Sequence, residues 1–115
     1  MIELVSSSRC IQCNLCVSVC PTNVFDAVPD APPTIARQSD CQTCFMCEVY
    51  CPVDALYVAH DADQPVSVNE AELVESGLLG SYRKMVGWGA GRTPGAAGDT
   101  SYYTHRHLET LNRLR

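Results

Sequence analysis

The stretch Cys10-Ile11-Gln12-Cys13-Asn14-Leu15-Cys16-Val17-Ser18-Val19-Cys20-Pro21 decides the reading of this chain, because it occurs twice. Thirty-one residues later the same frame returns as Cys41-Gln42-Thr43-Cys44-Phe45-Met46-Cys47-Glu48-Val49-Tyr50-Cys51-Pro52. Each run is C-x-x-C-x-x-C-x-x-x-C-P, and together they use all 8 cysteines. The flanks repeat as well: Val24-Phe25 follows the first run as Ala55-Leu56 follows the second. An internal duplication therefore organises the first half of the chain.

The spacing has a chemical logic. Two intervening residues let a tight turn set successive thiolates on neighbouring corners of one compact cubane. Three residues before the fourth cysteine carry the chain round a helical turn, so that sulfur faces away, towards a second cluster. On this reading Cys10, Cys13, Cys16 and Cys51 hold one [4Fe–4S] cluster, and Cys41, Cys44, Cys47 and Cys20 hold the other. Structural zinc calls for two C-x2-C pairs across a longer spacer, so the runs point to iron–sulfur chemistry. A disulfide framework is excluded on the expectation of a reducing cytoplasm. The opening Met1-Ile2-Glu3-Leu4-Val5-Ser6 lacks the basic and apolar regions of an export signal.

The rest of the composition narrows the function classes. Residues 1–76 hold 11 acids against Arg9 and Arg37, a net charge of −9, whereas residues 77–115 carry a net of +4. An acidic body does not bind nucleic acid, whose phosphates demand basic patches. No apolar run approaches the roughly 20 residues of a membrane span. All 7 glycines fall between Gly77 and Gly98. Gly87–Gly91 has the glycines of a loose phosphate loop but no strand–helix context, so it is not a nucleotide fingerprint. Nothing resembles a nucleophile–base pair, and no catalytic residue is expected. His60, His105 and His107 read as solvated side chains, and Tyr50 and Tyr57 as packing.

Local signals predict short strands at Ile2–Val5, Val24–Val28, Thr34–Ala36 and Ala55–Ala59, and one-turn helices at Leu15–Val19 and Met46–Tyr50. Asp30-Ala31-Pro32-Pro33 reads as a loop between two half-domains, each strand–cysteine loop–short helix–strand. Val5, Val17, Val19, Val24, Phe25, Ile35, Met46, Val49, Leu56 and Val58 form the expected apolar wrapping. Asn69 reads as a helix cap with Glu72 at the capping-box position, and Gly77 and Gly80 as stops. Gly87–Gly98 is expected to be extended or looped, and Thr104 to cap a last helix bearing Leu108, Leu111 and Leu114.

With these residues in hand, residues 1 to about 60 resemble the bacterial-type ferredoxins that carry two [4Fe–4S] clusters, matching all eight ligands and both prolines. The resemblance implies an α+β, pseudo-twofold ferredoxin fold over residues 1–62: two short β-hairpins and two short helices around two cubane clusters. It also implies single-electron transfer with no substrate site. The residue after the second cysteine of each run, often glycine in that family, is Asn14 and Phe45 here. Asparagine tolerates the left-handed conformation and phenylalanine does not, so the second loop is expected either to differ in shape or to shield its cluster with the ring.

Residues 63–115 form an extended glycine-rich C-terminal extension with short helices. Tyr82-Arg83-Lys84-Met85-Val86-Gly87-Trp88-Gly89, followed by Tyr102-Tyr103, places aromatic and cationic side chains on a flexible strap. Such residues are enriched at interface hot spots. In organisation the tail resembles the iron–sulfur small subunit of adenylylsulfate reductase and fumarate reductase-like flavoproteins. That resemblance implies a FAD-containing catalytic subunit as partner, bound through residues 77–115, with the clusters passing electrons to or from an outside carrier. The alternative is an independent soluble ferredoxin with a disordered tail.

Overall fold

The computed structural model describes residues 1–98; the expected Thr104-capped helix, Tyr102, Tyr103, His105 and His107 lie outside them. Strand β1 (Ile2–Val5) runs antiparallel to β4 (Leu56–Val58), and β2 (Phe25–Val28) to β3 (Ala31–Ile35). Two helices of one turn, α1 (Leu15–Val19) and α2 (Met46–Tyr50), pack against each other between these ribbons. Both helices span the expected residues. Their ends are dictated locally, since the residue before a proline is driven out of the helical region. Cys20 and Cys51 accordingly have φ −65°, ψ 117° and φ −70°, ψ 112°, each followed by proline.

Two of the expected strand features change. Only β2–β3 is a hairpin; β1 and β4 come from opposite ends of the duplicated region, with Ile2 opposite Val58 and Val5 opposite Leu56. Each half therefore lends one strand to a ribbon shared with the other half. The loop expected at Asp30–Pro33 is a tighter turn at Pro29-Asp30, with Asp30 at φ 54°. Pro32 and Pro33 lie within β3. Their N–H positions would point to opposite edges, so only one can lie on the ribbon's open side; the register shift between Asp26 and Val28, which sets both prolines against a single β2 residue, accommodates the other.

The core gathers Ile2, Val24, Phe25, Ala55, Leu56 and Val58 with Cys16, Cys47 and Cys51. Met46, expected in the wrapping, is exposed, and Glu48 is buried in its stead at 1% exposure.

Beyond β4, α3 (Glu70–Ser76) begins where Asn69 Oδ1 accepts from the Ala71 and Glu72 amides at 2.9 and 3.3 Å. It stops at Gly77, φ 72°. Helix α4 (Ser81–Val86) then returns to pack on α2. The segment expected to be extended or looped past Gly87 ends in a 3₁₀ turn at Gly95–Gly98. Its glycines permit close approach to the chain itself. A Cβ at Gly87 would stand 2.4 Å from the Pro94 nitrogen, and one at Gly95 2.9 Å from the Met85 carbonyl oxygen. The segment thus folds on itself, and from Gly80 to Arg92 it touches the duplicated region; no helix among the described residues is long and apolar enough to cross a membrane.

Candidate iron–sulfur centre

The duplication is written into the backbone. Gln12 and Thr43, Asn14 and Phe45, and Asn23 and Asp54 are pairs thirty-one residues apart, and all six have positive φ between 52° and 62°. The amides that face sulfur belong to these left-handed residues or to the residues directly after them. The Gln12 and Thr43 amides donate to Cys10 and Cys41 Sγ at 3.4 Å each. The Val24 and Ala55 amides donate to Cys20 and Cys51 Sγ at 3.4 and 3.3 Å. Backbone donors aimed at sulfur stabilise the thiolate form, which is the metal-binding form.

All eight cysteines are free thiols. They line two separate cavities. The first is bordered by Cys10, Cys13, Cys16 and Cys51, with Pro33, Val53 and Leu56. The second is bordered by Cys41, Cys44, Cys47 and Cys20, with Ile2, Thr22 and Phe25. Three thiols of one run and the fourth of the other thus share each cavity. The crossing follows from the extended Cys20 and Cys51, which leave their helices just where the proline ends them. Among the described residues no three His, Cys, Asp or Glu side chains converge to hold a single metal ion. The donor set, four thiols round a cavity with amides turned towards the sulfurs, fits a cluster.

The electrostatics differ from thiol to thiol. Burial pushes Cys16 up to about 11, partly offset by the Val17 amide, with Cys51, Cys13 and Cys10 adding like charge. Burial likewise raises Cys47, to which Cys41, Cys44 and also Cys16 contribute. Cys16 and Cys47, one from each cavity, lie on the packed helices α1 and α2. At Cys20 burial works upward, but hydrogen bonds from Val24, Thr22 and Asn23 outweigh it, and the thiol sits below its ordinary value. A metal that binds these buried thiols displaces their protons into solvent, so loading couples to proton release and to folding.

Phe45 adopts φ 62°, ψ 5°, the same left-handed conformation as Asn14 at φ 58°, ψ 23°. The second loop therefore keeps the shape of the first, contrary to one of the two expectations. Its ring borders the second cavity. Tyr82 of α4 lies 4.8 Å from it and His60 5.3 Å, centroid to centroid.

Glu48 is the residue sequence reasoning missed. Its Oε2 accepts from the Val58 amide at 3.1 Å, and Oε1 from the Tyr82 amide at 2.7 Å and the Ser81 hydroxyl at 3.5 Å. Burial nevertheless raises its pKa above the usual carboxylate value, against those bonds. The available signal was its position between Cys47 and Val49, both expected to face the interior. Arg83 donates to the Val49 carbonyl, and Arg92 pairs with Asp54 at 2.6 Å. Trp88 meets Tyr50 edge-on at 5.1 Å and stays 44% exposed.

These features define an iron–sulfur electron carrier domain. The family model described as a 4Fe-4S dicluster domain matches residues 9–55, both cysteine runs included. Two [4Fe–4S] clusters are therefore its cofactors, and electron transfer is its function. No curated protein and no solved structure matches the chain.

Proposed function

We propose that the chain is the electron-transfer iron–sulfur subunit of a cytoplasmic oxidoreductase complex. Cys10, Cys13, Cys16 and Cys51 hold one cluster, and Cys41, Cys44, Cys47 and Cys20 the other. The pair relays single electrons between a FAD-containing catalytic subunit, similar to fumarate or adenylylsulfate reductase, and an external carrier. The observation that carries the relay is the adjacency of two four-thiol cavities across α1 and α2. Support for a bound subunit comes from the extension, whose charge opposes that of the body and whose Met85 and Trp88 remain 65% and 44% exposed.

A second reading is favoured by the docking of α4 on the chain's own α2: an independent carrier whose extension up to Gly98 is part of the fold. Co-purification from the native host, comparing the full chain with one ending at Gly98, separates the two. A stoichiometric flavoprotein on the full chain supports the subunit, and its absence from both supports the free carrier. Ligation is tested apart from this. Cys20→Ser should damage the cluster held by Cys41, Cys44 and Cys47, and Cys51→Ser the other; damage confined to the substituted run overturns the crossed assignment.

A further inference from the structure

The two cavities are copies, but their hydrogen-bond donors are not. The Ile2 amide donates to Cys41 Sγ at 3.3 Å. Its counterpart in the other half, thirty-one residues on, is Pro33, which borders the first cavity and has no N–H. The Thr22 hydroxyl lies 3.8 Å from Cys20 Sγ and, against a metal-bound thiolate, acts as donor. Its counterpart is Val53, which also borders the first cavity and has no hydroxyl. At the other paired positions the donors match: Gln12 with Thr43, and Val24 with Ala55. Two donors are thus present at the second cavity and absent from the first, each through one side-chain or imino-acid difference.

Reduction adds one negative charge to a cluster and spreads it over the sulfurs. Donors aimed at sulfur stabilise that added charge, and apolar surroundings oppose it. From the Ile2/Pro33 and Thr22/Val53 differences we infer that the two clusters have unequal reduction potentials, the one at Cys41, Cys44, Cys47 and Cys20 being the higher. This rests on the ligand assignment proposed above. The Phe45 ring over the second cavity excludes water and works in the opposite direction, so the inference holds that the two extra donors prevail. A single electron supplied by an external one-electron reductant then rests at the second site. An electron arriving at the first site, beside exposed Cys13 and Ile11, passes downhill towards the α4 contact.

The test is a potentiometric titration of the full, anaerobically prepared chain with dithionite, followed by electron paramagnetic resonance. The wild type should show at least a tenfold preference for one site in the one-electron-reduced protein, about 59 mV for a one-electron couple. Thr22→Val should lower the potential of the higher component, and Val53→Thr should raise that of the lower one. The double variant should narrow the gap by more than half. Pro33→Ala, which restores an N–H, should act in the same direction as Val53→Thr. Equal potentials in the wild type, or movement of one and the same component in both single variants, overturns the inference. Iron and sulfide analysis of the same samples keeps the two readings apart. About eight of each per chain leaves the two-cluster assignment standing whatever the potentials do, whereas a shortfall in the wild type overturns that assignment.

Discussion

Phe45 occupies a left-handed conformation that disfavours a side chain by about 1–2 kcal/mol. Its contacts with Tyr82 and His60 offset this, since aromatic pairs contribute about 0.5–1.5 kcal/mol each beyond the area they bury. Phe45→Gly removes the backbone cost and the ring together. The expected net effect is a modest destabilisation, about 1 kcal/mol, with faster bleaching of the second cluster in air as water reaches it. A variant that bleaches at the wild-type rate would show that the ring shields nothing. On the β2–β3 hairpin, Asp26–Arg37 is an exposed ion pair at 2.6 Å, and the guanidinium holds the Asp26 carboxyl below its ordinary value. Its contribution to the β2–β3 hairpin is therefore complete above the usual aspartate range and lost as pH falls through the depressed value. Asp26→Asn should lower the thermal midpoint slightly at neutral pH, and the difference from wild type should vanish in acid.

At the scale of elements, α4 is held by few but well-placed interactions. Glu48 joins α2, β4 and the first turn of α4 through three hydrogen bonds accepted by one buried carboxylate. Glu48→Ala strands the Val58 and Tyr82 amides, at a cost of about 1–3 kcal/mol for each group left unpaired. Trypsin should then cleave after Arg83 or Lys84 in the folded variant and spare the wild type. Gly80 supplies an independent route to the same outcome. It has φ 68°, and a Cβ there would lie 2.3–2.5 Å from atoms of the Asp54 side chain, itself paired with Arg92. Gly80→Ala should likewise free α4, by about 2 kcal/mol of strain and displacement. Equal protease resistance in both variants would mean that α4 is held by other contacts.

At the scale of the molecule, the core and the cofactor sites are the same place. Cys16, Cys47 and Cys51 belong to the hydrophobic cluster, and the side chains of that cluster border both cavities. A chain with so small a core draws its stability from what it binds. Chelation of iron should therefore unfold residues 1–60, and an apoprotein keeping the far-ultraviolet circular dichroism of the loaded form would contradict this. Loss of α4 bears most on the second site, where Tyr82 meets Phe45, and less on the first, reached only through Asp54. Truncation after Ser76 should accordingly speed bleaching of the second cluster more than of the first, whereas truncation after Gly98 should change neither.

What the chain's primary structure determined by itself was everything governed by near neighbours. The cysteine spacing, the 31-residue duplication, the helices Leu15–Val19 and Met46–Tyr50, and the Asn69 cap rest on bond geometry and on proline's effect on the residue before it. Those rules act within a few residues and need no partner. Tertiary structure alone decided the pairing of β1 with β4, since a short strand pairs with whichever open edge the rest of the chain presents. It also decided that Phe45 could be left-handed, because the rings that offset the strain arrive from residues 60 and 82. The role of Glu48 was hidden for the same reason: whether a carboxylate is solvated or buried depends on donors that only the return of α4 brings to it.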